Sequence, residues 1–369
     1  MDILSKTWPQ AYSTLPNLKF IIRFQCHIKI VDNIMERYRD GKIHIENFEL
    51  SWRDLCPPVD KWLDIAIQNG VKDVGLDVRS GLEKIELPNL RKIKSVSIRI
   101  CKNQRVKIEA PTLEHLSYFG LCLSEGLVVT ECKDLKSLDL THSPQNFNVY
   151  NDLSYGRERF RICKSGSLKI LKIRNCDGIK EIDDPNLVSI EYQGKQTPEL
   201  KIARESCQLK HSKIVLSGFH SDAAWFGKLQ KFLSNSASWS QVSLYFVDCA
   251  KINMNDLLLH DRVAIPQVDV LDVKTEFYEE LPTFVDALLL SCHPRRLNLS
   301  SSVKINKCFI DRLMHLSHST SHGRESWHSQ LIAIKAFDVK NQPLQLLEID
   351  SLMEWEWKRI YFLLDWQCS

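Results

Sequence analysis

The chain has 369 residues, 44% apolar and 26% charged, with a formal net charge of +3. Those values suit a protein with a sizeable folded core and give no global electrostatic case for nucleic acid or a membrane surface. No apolar run reaches the ~20 residues of a membrane-spanning helix, no secretory leader is visible, and none of the twelve cysteines forms a CxxC pair. Reduced thiols and a cytoplasmic or nuclear location are therefore expected, rather than disulfides or a zinc site.

In chain order, Leu4 to Trp8 predicts a short apolar helical stub, Pro16 a turn, and Phe20-Ile21-Ile22 the end of an extended segment. Ile43–Leu50 alternates apolar and polar residues, as a half-buried strand does. Val59, Trp62, Leu63, Ala66 and Ile67 then make one helical stripe, which Asn69-Gly70 ends. The strand that follows introduces a spacing that recurs. Apolar residues stand at i, i+3 and i+5 in Val71-Val74-Leu76, Ile93-Val96-Ile98, Leu113-Leu116-Tyr118 and Leu135-Leu138-Leu140. The spacing returns in Leu168-Leu171-Ile173, Leu187-Ile190-Tyr192 and Val268-Leu271-Val273. The i+3 and i+5 residues share one face of a strand. Intervals of 22, 20 and 22 between the first four i+3 residues are those of leucine-rich repeats.

The fold expected is thus an α/β leucine-rich-repeat solenoid, curved, with a parallel sheet on its concave side and helices or loops on its convex side. The repeat domain spans 25–300, with short repeats to about residue 193 and longer helical ones from about 218. Cys101, Cys176 and Cys249 fall at the position where a small side chain fills the turn beneath the strand, and are expected as buried thiols. Ser143–Cys163 interrupts the spacing and predicts a surface loop. Helical stripes at Trp225-Leu229-Phe232-Leu233, around Leu257, and at Phe284-Val285-Leu288-Leu289 precede the strands Val242–Val247, Val268–Val273 and Leu297–Leu299. Residues 301–369 form a cap: a helix over Cys308–Leu316, then strands over Leu331–Val339 and Arg359–Trp366 that cover an open sheet edge.

Chemistry-bearing signatures are few. No P-loop, GxGxxG, HExxH or GxSxG occurs, and no catalytic, cofactor-binding or metal residue is predicted, so the chain is not expected to be an enzyme. His315, His318 and His322 lie in a Ser/Thr/Gly-rich stretch that reads as a loop, and Cys292-His293 lacks a third partner. Arg91–Lys107 holds seven basic residues and no acidic one, which fits solvated turns or a site for a phosphate or acidic peptide. Strand alternation turns i+2, i+4 and i+6 to the concave side. That face predicts a partner-binding set of Arg99, His115, Phe119, Asp139, Ile170, Lys172, Arg174 and Glu191, an aromatic and an aliphatic anchor among charges.

Three stretches carry a family resemblance: LSKTW…STLPNLKF at the N-terminus, VDKWLDIAIQNGVKDVGLDV from Val59, and DALLLSCHPRRLNLSS from Asp286. They resemble plant F-box/LRR proteins, with Pro9 and Tyr12 standing where that family has a basic residue and a tryptophan. The resemblance implies a substrate receptor of an SCF-type ubiquitin ligase, with the repeats choosing a target protein and catalysis left to other subunits. It also implies that residues 1–24 are the C-terminal end of an F-box and its linker, the rest of the F-box being absent. Leu4 and Trp8 would then be the remnant of the surface that docks on a Skp-type adaptor. The alternatives are an adaptor-independent interaction module and a small-ligand sensor on the concave face.

Overall fold

The computed structural model describes residues 15–53, 57–79, 84–87, 90–100, 105–120, 127–130, 132–142, 160–162, 167–176, 179–183, 186–195, 197–201, 209–218, 221–236, 238–249, 252–258, 265–277, 281–315, 327–338 and 359–367. The fold is mixed α/β, with a large, mostly parallel sheet that is not closed into a barrel and few helices. The chain divides into two compact units, Met1–Lys180 and Glu181–Ser369.

The first unit opens with strand β1 (Asn17–Ile22), helix α1 (Gln25–Gly41), β2 (Asn47–Trp52), α2 (Val59–Gln68) and β3 (Asp73–Val78). The strands β4 (Lys84–Leu87), β5 (Ser95–Ile100), β6 (Arg105–Glu109), β7 (His115–Gly120) and β8 (Leu127–Thr130) follow. After them come β9 (Ser137–His142), β10 (Phe160–Ile162) and β11 (Ile170–Arg174). The parallel order β1-β2-β3-β5-β7-β9-β11 puts equivalent residues side by side. Val74 pairs with Val96, Val96 with Leu116, Leu116 with Leu138, and Leu138 with Leu171. All five are at most 7% exposed, so the i+3 positions stack into one dry column. The i+5 residues Leu76, Ile98, Tyr118, Leu140 and Ile173 make a second column, at most 2% exposed.

Two features of this unit were not expected. Gln25–Gly41 is a 17-residue helix where no element was predicted, held by Ile28, Val31, Met35 and Tyr38. Asp32 of α1 accepts from Trp62 Nε1 at 2.7 Å and pairs with Lys61 at 3.3 Å, which ties α1 to α2. The other feature is a second parallel sheet, β4-β6-β8, where helices or loops were expected between the short repeats. Ile85, Leu87, Val106 and Ile108 are buried on it and alternate with the exposed Lys84, Glu86, Arg105 and Lys107. Gly70 ends α2 at φ +90°, the left-handed turn that Asn69-Gly70 predicts. Gly120 has another reason: a Cβ there would sit 2.7 Å from the Tyr118 hydroxyl.

The β12 strand (Ile179–Asp183) enters the second unit, where its residues Glu181–Asp183 pair with β14 (Glu199–Lys201). The main strands are β13 (Ser189–Gly194), β15 (His211–Gly218), β16 (Ser238–Phe246), β17 (Gln267–Thr275) and β18 (His293–Ser300), all parallel. Helices α3 (Ala223–Leu233), α4 (Met254–Leu258) and α5 (Pro282–Ser291) alternate with them, and α6 (Val303–Ile310) follows β18. Asp222 caps α3 by accepting from Trp225 N–H at 2.8 Å. In that helix Phe226, absent from the predicted stripe, is as fully buried as Leu229 and Leu233 of the stripe, and it meets Phe246 and Phe284 in an aromatic cluster. β19 (Leu331–Asp338) and β20 (Arg359–Trp366) form an antiparallel pair, and β20 joins β18.

His293, at the start of β18, is 4% exposed, stacks on Trp366 at 3.9 Å, and has no hydrogen-bond partner for Nε2 among the described residues. Burial pushes its pKa down to about 4. The folded protein therefore keeps this ring neutral, while the unfolded chain takes up a proton below pH ~6.5. Stability should be intact above that value and fall as pH drops from ~6.5 toward 4, by on the order of 3 kcal/mol from this group. Denaturant titrations from pH 7 to 4 should show that loss in the native protein and a smaller one in His293→Phe. An equal slope in both would remove His293 as the cause.

Candidate functional site

Register turns the outward residues of the first unit into three rows. One row runs Asn17, Asn47, Asp73, Ser95, His115, Ser137, Ile170, and the next Lys19, Glu49, Gly75, Ser97, Ser117, Asp139, Lys172. The third runs Ile21, Ser51, Asp77, Arg99, Phe119, Thr141, Arg174. Seven predicted contact residues (Arg99, His115, Phe119, Asp139, Ile170, Lys172 and Arg174) thus share one face. Glu191 faces outward on β13 of the second unit. Leu4 and Trp8 lie outside the described residues, as do Cys101, His318, His322 and most of the Ser143–Cys163 insertion.

The contacts on this face organise its charges. The Arg99 guanidinium lies 5.0 Å from the centroid of the Phe119 ring, a cation–π pair that keeps both side chains in place. Asp139 accepts from Thr141 Oγ1 at 3.3 Å and pairs with Arg174 Nη1 at 3.5 Å. Ile170 is 38% exposed, an aliphatic group offered to solvent beside them.

At the other end of the same face is a hollow of about 910 Å³, lined by Lys19, Arg23, Arg53, Arg79 and Arg99 with Glu49 and Asp77. Five cations against two carboxylates leave a surplus of three. Glu49 is held by Lys19 at 2.5 Å and Asp77 by Arg79 at 3.3 Å. Arg23, Arg53 and Arg99 have no ion-pair partner among the described residues. Arg23, Arg53 and Arg79 each follow the last residue of a strand, and those last residues, Ile22, Trp52 and Val78, are in register. Lining up strand ends in the sequence would have found this arginine column. It was missed because the i, i+3, i+5 spacing was followed only from Val71, although β1 and β2 carry it as Leu15-Leu18-Phe20 and Ile45-Phe48-Leu50.

The basic run Arg91–Lys107 is not one site. Lys94 pairs with Glu114 at 2.5 Å, and Glu114 also takes Lys136 at 2.5 Å. Lys136 and Lys94 hold the Glu114 carboxyl down at about 2, so it stays ionised at any physiological pH. Arg99, by contrast, belongs to the outward face.

Nucleophile chemistry finds no support at Cys292-His293. Burial pushes the Cys292 thiol up to about 12 while the imidazole is pushed down to about 4, so neither ionises near neutrality. Cys176 and Cys249 are buried thiols that donate to the carbonyls of Leu140, at 3.5 Å, and Ser221, at 3.6 Å. Among the described residues no group of three or more His, Cys, Asp or Glu side chains is placed to hold a metal, and no helix is long and apolar enough to cross a membrane. What the face offers is guanidinium forks, an aromatic and an aliphatic group. Those are means of binding.

The chain is similar to a protein of Arabidopsis thaliana named as an F-box protein. The two are 24% identical over 215 residues, 53% of this chain and 50% of that protein. The chain thus spans about half the length of the relative it matches, and at that distance the likeness points only weakly to the F-box family. No protein-family model matches the chain, and no solved structure matches it.

Proposed function

We propose that the chain is a leucine-rich-repeat interaction domain that serves as the substrate receptor of an SCF-type ubiquitin ligase. The observation that carries the binding role is the outward face of the first unit, where Arg99, Phe119, Asp139, Ile170, Lys172 and Arg174 stand in adjoining rows. The i, i+3, i+5 spacing and the stacked parallel strands support the repeat assignment, and the likeness to a protein named as an F-box protein supports the ligase role. In this reading the target protein docks on the outward face, and the segment containing Leu4 and Trp8 belongs to the contact with a Skp-type adaptor. Ubiquitin transfer falls to other subunits, with no cofactor or metal in this chain, and the complex works in the cytoplasm or nucleus.

Affinity purification of the full chain from plant cells, with and without a complete F-box joined ahead of Met1, tests this. Partners that co-purify should lose ubiquitin and accumulate when the gene is disrupted, and the adaptor should co-purify with the joined protein. Partners whose ubiquitination is indifferent to the chain would instead make it an adaptor-independent interaction module.

A further inference from the structure

The second unit carries a hollow of its own, about 470 Å³, on the outward face of β16, β17, β18 and β20. Its one carboxylate is Asp272, which is already engaged. Gln241 Nε2 and Ser243 Oγ reach Asp272 Oδ2 at 2.8 and 3.2 Å, and Asn298 Nδ2 reaches Oδ1 at 2.7 Å. Around it stand Lys274, Arg296 and Arg359, a surplus of two positive charges over that carboxylate.

Arg296 is held ready. Its Nε donates to Asn298 Oδ1 at 2.9 Å, and its guanidinium carbon lies 4.2 Å over the Tyr361 ring. Phe337, on the strand at the other side of β20, stacks on that same ring at 5.0 Å. Such a clamp fixes the guanidinium plane while its two terminal nitrogens keep their donors free among the described residues. Lys274 is placed similarly, 4.8 Å from the centre of the Tyr245 ring. Arg359 is exposed, with no side-chain partner among the described residues.

We propose that this hollow binds an acidic peptide segment of a partner protein, its carboxylates taken by Arg296, Arg359 and Lys274. The cations come from three strands, with Lys274 and Arg359 on either side of Ser300 in register and Arg296 four residues before Ser300 on the middle strand, so they match charges spaced along an extended chain. A single phosphate would need them to converge. Arg296 accepts a carboxylate in its fork at little entropic cost because the Tyr361–Phe337 stack has already fixed it. This site stands apart from the ubiquitin-ligase reading and survives its failure.

The test is fluorescence anisotropy of the full chain with a fluorescein-labelled octaglutamate peptide. Arg296→Gln and Arg359→Gln should each weaken binding about tenfold with unchanged melting curves. Lys228→Gln, an exposed cation on α3 away from the hollow, should leave it unchanged. The Arg359 side chain has no partner among the described residues, so a loss of binding in Arg359→Gln would not be a folding effect. Retained affinity in both arginine variants, or an equal loss in Lys228→Gln, would overturn the proposal. Displacement of the peptide by inorganic phosphate beyond that by chloride of equal ionic strength would also overturn it, making the hollow a phosphate site.

Discussion

Ile98→Asp should unfold the first unit, while Ser97→Asp beside it should leave the melt almost unchanged. Ile98 is 1% exposed and sits in register between Leu76 and Tyr118, so a carboxylate there has no water and no partner. The lost apolar burial and the unpaired charge together should cost ~4 kcal/mol or more, a large part of the ~5–15 kcal/mol that holds a typical domain. Because each strand contacts its neighbours in the stack, the damage should spread to β3 and β7. Ser97 points to solvent from the same strand, and its substitution should stay within about 0.5 kcal/mol. Urea melts followed by circular dichroism compare the two. Equal midpoints would mean that the alternation is assigned backwards.

Asp286→Ala should be the most damaging polar substitution in the second unit. Asp286 on α5 is 9% exposed, takes a hydrogen bond from Arg312, and accepts from Trp327 Nε1 at 3.2 Å. Removing the carboxylate takes a counter-charge from the Arg312 guanidinium and an acceptor from the Trp327 indole N–H. A loss of about 3–5 kcal/mol is expected. Asp286→Asn keeps an acceptor for Trp327 and should recover part of it. A wild-type melting temperature for Asp286→Ala would show that Arg312 and Trp327 turn to solvent at no cost.

The strand register was legible because it is a local property. The i, i+3, i+5 residues from Val71 to Tyr192 were named from spacing alone, and each is at most 7% exposed. Elements with weaker local patterns were missed. The buried stripe of α1, Ile28-Val31-Met35-Tyr38, is thin and set among charges, so its helix did not stand out. β4, β6 and β8 are four or five residues long and acquire their role only by stacking on one another. Side-chain networks were beyond reach for a different reason. Gln241, Asp272 and Asn298 lie about 30 residues apart along the chain and meet only once the strands are in register. The site reading shows the same split: alternation placed Arg99, Phe119, Asp139, Ile170 and Arg174 outward, but the cation–π and ion pairs among them needed the register.

The most direct test of the outward face as the partner-binding surface is site-specific photo-cross-linking in cells. A benzophenone amino acid at Ser117 or Ile170 samples the outward rows of the first unit. The same residue at Val128, 50% exposed on β8 of the other sheet, samples a surface assigned no role. One and the same partner should be captured from Ser117 and Ile170, with none from Val128. Capture from Val128 with none from Ser117 and Ile170 would contradict the account.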